Sequence, residues 1–263
     1  MIAAIIQARI SSARLPEKVL MDIADKPMVQ RVIERVKAAT LLDKVILATT
    51  MEETDAPLAT LAGILGIEVF RGSVDDVLDR YYQAAQFFRV EAVVRVTADC
   101  PLIDPSIIDR AVKIFLEGDY DYVSTAYPFP TFPDGLDVEV FSIWALEKAW
   151  REASLRSERE HVTPYIWKNP HIFRLRSIVN PEDLSSMRWT VDEEKDLQFV
   201  REVYRHLDDG TGRIFGMDEV LKLLKQCPEV LQINQGMQRN EGYQKSLRED
   251  RQVTPPQSGS PES

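Results

Sequence analysis

The chain has 263 residues, of which 44% are apolar and 28% charged, and its formal net charge is −10. That balance excludes a general nucleic-acid binder, which needs a basic face to displace counterions, and no stretch approaches the roughly 18 consecutive apolar residues of a membrane span. Cys100 and Cys227 are far apart and make no metal-ligand spacing, so reduced, incidental thiols are expected, in a cytoplasmic protein.

Through the first half, short apolar runs alternate with segments of helical period, the pattern of a mainly parallel sheet covered by helices on both faces. Ala3–Ile6 reads as the first strand, with no secretory signal ahead of it. Pro27 opens a helix carrying Met28, Val29, Val32, Ile33 and Val36 at helical spacing. A second strand is predicted at Val45–Ala48, a helix at Ala56–Leu65 closed by Gly66, a third strand at Glu68–Phe70 and a helix at Val74–Phe88. Ala92–Val96 is the fourth strand and Pro105–Leu116 the fourth helix. Beyond Tyr120 the alternation changes. Strands are expected at Asp121–Ser124, at Asp137–Phe141 with its acids turned outward, and at Ile172–Ser177, with a Pro-rich loop over Tyr127–Gly135. Helices are expected at Ile143–Ala153, Glu158–Trp167 and Glu194–His206, and Val253–Ser263 has the polar, Pro/Ser-rich composition of a disordered tail.

Ligands of open parallel sheets gather beyond the carboxyl ends of the strands. Two unusual loops sit there: Gln7–Lys18 after the first strand and Thr97–Pro105 after the fourth. The first, QARISSARLPEK, offers Arg9, Arg14, Lys18 and serine hydroxyls against the single acid Glu17, in an otherwise acidic protein. Fixed donors with positive charge suit a phosphate chain; a solvated basic loop is the plainer reading. The loop has no G-x-x-x-x-G-K-[ST] pattern and the chain no G-x-G-x-x-G, which excludes a P-loop ATPase and leaves dinucleotide binding unsupported. In the second loop, Asp99 follows a strand directly, as a Mg²⁺ ligand can, or it caps the next helix, a task for which Asp104 is better placed. Asp192, in RWTVDEEKD, is a second candidate ligand or simply a helix-start acid. Asp137 and Glu139 share one strand face, where they meet sugar hydroxyls or water; Arg159, Glu160 and His161 cluster just inside a helix.

Taken in order, IIQARISSARLPEKVL, VILATT, FRGSVDDVLDRYY, VRVTADCPLIDP, PDGLDVEVF, EREHVTPY and RWTVDEEKDL resemble the cytidylyltransferases of spore-coat polysaccharide biosynthesis. They are more distantly similar to the enzymes that make CMP-Kdo and CMP-sialic acids. The similarity runs from about Ile2 to His206, and NEGYQKSLRED resembles the family's C-terminal region without an assignable role. The resemblance implies a doubly wound, mainly parallel Rossmann-like sheet of the nucleotide-diphospho-sugar transferase type. It implies a nucleotidyltransferase domain over 1–225, with acceptor and dimerisation elements around 120–180, and a C-terminal extension over 226–263, disordered from about 253. The implied reaction is Mg²⁺-dependent transfer of CMP from CTP to a sugar, a Kdo- or nonulosonate-like acid, in surface-polysaccharide biosynthesis. Ala8, Arg9, Ser12, Arg14 and Lys18 would embrace CTP, with Arg80 nearby. Asp99 and Asp192 would share Mg²⁺, leaving Arg14, Lys18 and Asp99 as the catalytic set. Asp137, Glu139, Arg159, Glu160 and His161 would face the sugar. A homodimer is expected, with Tyr120–Phe141 reaching toward the partner. Two departures stand out: Glu17 replaces the glycine of the family's RLPGK, and Thr97-Ala98 replaces the glutamine that precedes the metal aspartate in the CMP-Kdo enzymes. A sugar-phosphate nucleotidyltransferase, a glycosyltransferase using the D-x-D triplet Asp119-Tyr120-Asp121, and a non-catalytic nucleotide-binding protein are the competing readings.

Overall fold

Along the first strand, alternate side chains enter different cores. Ala4 and Ile6 join one buried cluster, and Ala3 and Ile5 join another on the opposite face, which is why the strand is apolar throughout rather than alternating. The computed structural model describes residues 1–12, 14–236 and 239–253. Its elements are β1 (Ile2–Gln7), β2 (Asp22–Ile23), β3 (Lys26–Pro27), α1 (Met28–Lys37), β4 (Lys44–Thr50), α2 (Ala56–Ile64), β5 (Glu68–Gly72), α3 (Val77–Phe87), β6 (Ala92–Thr97) and α4 (Pro105–Glu117). There follow β7 (Tyr122–Ser124), β8 (Glu139–Ser142), α5 (Ile143–Glu152), α6 (Arg156–His161), α7 (Pro164–Lys168), β9 (Leu175–Ser177), α8 (Glu194–Leu207), α9 (Met217–Gln226), α10 (Pro228–Gln232) and α11 (Glu241–Val253).

Seven strands form one sheet in the order β5-β4-β1-β6-β8-β7-β9. Pairing is parallel from β5 through β6, antiparallel on both sides of β8, and parallel again between β7 and β9. One core packs α1, α4, α8 and α9 on the sheet, and the other packs α3 and α5. This is the doubly wound architecture expected. No helix among the described residues is long and apolar enough to cross a membrane.

Four departures have physical reasons. The β2–β3 hairpin turns through Ala24 and Asp25, both at positive φ; such turns normally announce themselves with glycine or asparagine, so the sequence carried no signal. The single helix expected over Glu158–Trp167 is two, because Val162 takes φ 71° ahead of Pro164 and ends α6. Glu139, expected to face outward from β8, is 3% exposed because it pairs with Arg95. Helices α9, α10 and α11 were not anticipated, although Val220, Leu223 and Leu224 bury one face of α9. Of the disorder predicted for Val253–Ser263, residues 254–263 lie outside the described residues.

Candidate active site

The sheet brings the two unusual loops together. Gln7 and Thr97 end adjacent parallel strands and are register partners, so the segments after them leave side by side. The first loop is held by Ile10 N donating to Asp55 Oδ1 (2.7 Å) and closed by Glu17 N donating to Ile10 O (3.2 Å). Glu17 sits at φ 57°, the left-handed conformation that favours glycine. A 3₁₀ turn over Lys18–Leu20 follows and points Lys18 inward. The second loop is braced by Arg35, whose Nε donates to Ile103 O (2.6 Å). It ends at Asp104, which caps α4 by accepting from Ser106 N (2.8 Å) and also receives Met217 N (2.6 Å) at the start of α9.

Asp99 and Asp192 meet over one ammonium. Lys18 Nζ donates to Asp99 Oδ2 (2.8 Å), Asp192 Oδ1 (2.9 Å) and Val191 O (2.8 Å). Backbone bonds tie the two acids' segments together, Val191 N donating to Asp99 O (2.8 Å). Asp192 also takes Arg14 Nη2 at 2.7 Å on Oδ1 and Arg188 Nη2 at 2.9 Å on Oδ2. Asp196, fully buried, orders this corner. It accepts from Arg188 Nε, from Asn234 Nδ2 and from the backbone N–H groups of Asp192 and Glu193, at 2.9–3.0 Å. Burial opposes the Lys18 charge, yet Asp99 and Asp192 outweigh it and raise its pKa. Burial likewise works against the Asp99 charge, and Lys18 prevails, holding that carboxyl at about 2. Both groups are therefore ionised at neutral pH.

Two cavities join at this junction. The larger, about 590 Å³, is lined by Ala8, Arg9, Ser12, Arg14, Lys18 and Arg80, all six residues expected at the nucleotide, together with Asp99 and Asp192. Arg80 spends its donors on Ser73 O (2.9 Å) and Val74 O (3.3 Å), which fixes the loop before α3. The smaller cavity, about 250 Å³, contains Asp137, Glu139 and His161 and shares Arg14, Asp99 and Asp192 with the larger. Here the charges are already paired. Glu139 accepts from Arg95 Nη1, from Tyr122 Oη (2.5 Å) and from Thr163 Oγ1 (2.6 Å). Asp137 accepts from Arg239 Nη2; burial pushes its carboxyl up despite that partner. Tyr127 and Trp167, both lining the small cavity, stack at 4.3 Å. Gln7 Oε1, Arg95 Nε and Tyr243 Oη, all from its lining, are buried without a hydrogen-bond partner among the described residues.

Not every expected sugar-side residue is there. Glu160 lines the larger cavity alone, and His161 lines both. Arg159 lines neither, since its guanidinium binds Asp76 Oδ2 (Nε at 2.9 Å) and Trp150 O (2.6 Å), locking α6 to α3 and α5. The D-x-D triplet is also elsewhere, with Asp119 and Asp121 both gripping Arg174. Sequence reasoning missed Arg95, Arg239, Tyr127 and Trp167, which look like ordinary strand, loop and helix residues. It noticed NEGYQKSLRED without placing it; α11 carries that motif along the larger cavity.

A doubly wound sheet with a basic loop after its first strand, and two carboxylates converging beyond its edge, defines a nucleotide-handling α/β protein. Residues 3–240 match the cytidylyltransferase family. The chain belongs to that family. It is 39% identical over 252 residues to an uncharacterized protein of Methanocaldococcus jannaschii, covering 94% of this chain and 98% of that one. It is 30% identical to the spore coat polysaccharide biosynthesis protein SpsF of Bacillus subtilis, over 86% of this chain and 94% of that protein. A cytidylyltransferase structure from Leptospira borgpetersenii superposes with a TM-score of 0.84 at 31% identity, over 90% of this chain and 99% of its own. The structure of CMP:2-keto-3-deoxy-manno-octonic acid synthetase complexed with CTP superposes with a TM-score of 0.60 at 17% identity, over 78% and 98%, a likeness of fold.

Proposed function

We propose that the protein transfers CMP from CTP to a hydroxyl of a sugar acid of the Kdo or nonulosonate class, releasing pyrophosphate, with Mg²⁺ as the metal. The observation that carries the reading is the junction itself: Lys18 bridges Asp99 and Asp192 where a cavity rich in basic side chains meets one with an aromatic platform and paired acids. The larger cavity would take CTP, with Arg9, Arg14 and Lys18 facing its phosphates. The smaller would take the sugar, its ring on Tyr127 and Trp167 and its hydroxyls on Asp137, Glu139 and the unpartnered Gln7 and Tyr243 atoms. Arg14 is the one cation among the described residues that lines both, so it can face the phosphates and a sugar carboxylate together.

Asp99 and Asp192 fit a divalent cation, because both already aim an oxygen at a single positive charge within 2.9 Å. Among the described residues no group of three or more His, Cys, Asp or Glu is placed to hold a metal, so phosphate oxygens and water would complete the shell. When bound, Mg²⁺ supplies charge neutralisation at the α-phosphate. The sugar hydroxyl oxygen attacks the α-phosphorus, the bond to the β-phosphate oxygen breaks, pyrophosphate leaves with the electron pair, and the hydroxyl proton passes to water. Lys18 holds the Asp99 carboxyl in its charged form, the form a cation would need. Lys18 stays protonated and opposes charge build-up on the leaving phosphates. The reading includes a cytoplasmic homodimer; the similarity to SpsF, a spore coat polysaccharide biosynthesis protein, supports a product that feeds surface-polysaccharide assembly.

Pyrophosphate release tests it, with CTP, UTP, GTP and ATP offered against sugar acids and sugar phosphates in Mg²⁺. CTP-selective release that requires a sugar acid is expected. Release that requires a sugar phosphate and another nucleotide would overturn the assignment.

A further inference from the structure

The family match ends at residue 240, and α11 begins at Glu241. This helix is bolted to the body of the protein along one side. Ser246, 2% exposed, donates from Oγ to Glu160 Oε2 (2.9 Å) and lies 3.0 Å from His161 Nε2. Asp250 Oδ1 accepts from Ser157 N (3.1 Å), and Glu249 Oε2 pairs with Arg156 Nη1 (3.0 Å). The Tyr243 ring packs on Trp167 and His161 at centroid distances of 5.9 and 5.1 Å. Four α6 residues and one α7 residue thus fix its rotation.

With that side fixed, Glu241, Lys245 and Arg248 follow at i, i+4 and i+7 and form a stripe on one face. All three line the larger cavity. Glu241, at the start of the stripe, holds Arg14 Nη1 at 3.2 Å. Lys245 makes no hydrogen bond or ion pair with any described residue, and Arg248 donates only to Gln244 O in its own helix, at 3.2 Å. Both are exposed.

The charge balance of the cavity gives that stripe its meaning. Lys18 is engaged by Asp99 and Asp192, Arg14 by Asp192 and Glu241, Arg156 by Glu249, and Arg80 by two carbonyls. Within the family-matched part of the lining, Arg9 alone among the cations has no such partner among the described residues. A triphosphate brings several negative charges, more than Arg9 can answer. We propose that α11 is the closing wall of the nucleotide site and that Lys245 and Arg248 bind the phosphate chain of CTP. The inference rests on the reading that the larger cavity takes CTP.

Calorimetric titration of the full-length protein with CTP and, separately, with CMP tests it. The double variant Lys245→Glu/Arg248→Glu should weaken CTP binding about 10- to 100-fold, the range for losing charge-assisted contacts, while leaving CMP affinity and the melting temperature unchanged. Lys245→Arg should retain CTP affinity. Equal loss for CTP and CMP would mean that α11 only shapes the pocket, and unchanged CTP affinity would remove both residues from the site; either overturns the inference. Failure of the wild-type protein to bind CTP would instead overturn the reading of the cavity, and this inference with it.

Discussion

The two cavities share Arg14, Asp99 and Asp192 but are built on opposite electrostatic plans. In the larger one, Arg9 and Lys245 are exposed with no partner among the described residues, so their charge is available to an anionic ligand. In the smaller one, Arg95 is matched to Glu139 and Arg239 to Asp137 before any ligand arrives. Desolvating a charge is costly unless it is paired, and pairing leaves a small cavity whose polar atoms recognise hydroxyls by direction rather than by net charge. The difference teaches that nucleotide binding here should depend on salt and charge number, and sugar binding on shape.

The largest effect should come from the carboxylate at the junction. Asp99→Asn keeps the shape but removes the charge that a metal would need, and turnover should fall about 10²- to 10³-fold, the size of losing one preorganised electrostatic group. Thermal unfolding should be nearly unchanged, since Lys18 keeps Asp192 and the Val191 carbonyl. A wild-type rate at saturating Mg²⁺ would take Asp99 out of the site and blur the contrast between the cavities. The next effect belongs to the other cavity and has the opposite character. Glu139→Gln leaves the Arg95 guanidinium buried with no counter-charge, and breaking a buried pair costs about 3 kcal/mol or more of stability. For a chain of this size that lowers the melting temperature by roughly 6–12 °C. CTP affinity in the folded protein should stay as in the wild type. A variant that melts normally but loses CTP binding would show that Glu139 serves the nucleotide, against the division drawn here.

How far these features were legible in the sequence follows from how local they are. The strands β1, β4 and β6 and the helices between them show in apolar period alone, because each element buries its own stripe. The convergence of the loops after β1 and β6 was legible too, since parallel pairing of the strands fixes where both loops exit. Even the strain at Glu17 was readable from a missing glycine. Asp192 was not assignable by pattern, because an acid before a helix has an ordinary explanation; only the fold shows Asp196 taking the helix-start role while Asp192 turns to Lys18. Arg159 misled for the complementary reason. It stands beside Glu160 and His161 in sequence, but on a helix neighbouring positions point about 100° apart, and its side chain went to Asp76. Helix α11 was invisible as a wall because its partners lie far off in the chain, 85 positions away in the pairing of Ser246 with His161 and 227 in that of Glu241 with Arg14.

The smallest effect is a pH dependence at the place where α11, α6 and both cavities meet. Burial, working against the favourable charge of Glu160, lowers the His161 pKa from 6.5 to about 4. Arg95 adds to the lowering, while Glu139 and Asp250 oppose it. The folded chain therefore keeps this ring neutral over a range in which the unfolded chain takes up a proton. The unfolded state binds more protons between about pH 4 and 6.5, so stability rises with pH across that window. The contribution is complete above pH 6.5 and is lost as pH falls toward 4. Carboxylates titrate over part of the same range, so the diagnostic quantity is the difference between wild type and His161→Gln. That difference in melting temperature should be largest at neutral pH and shrink steadily as the pH falls through the window, because only the wild type has a neutral imidazole to lose. A difference independent of pH would assign the ring a packing role against Tyr243 and Ser246 and nothing more. Should it shrink as expected, CTP affinity ought to hold steady across most of the same window, because the folded chain keeps His161 neutral until the pH approaches 4.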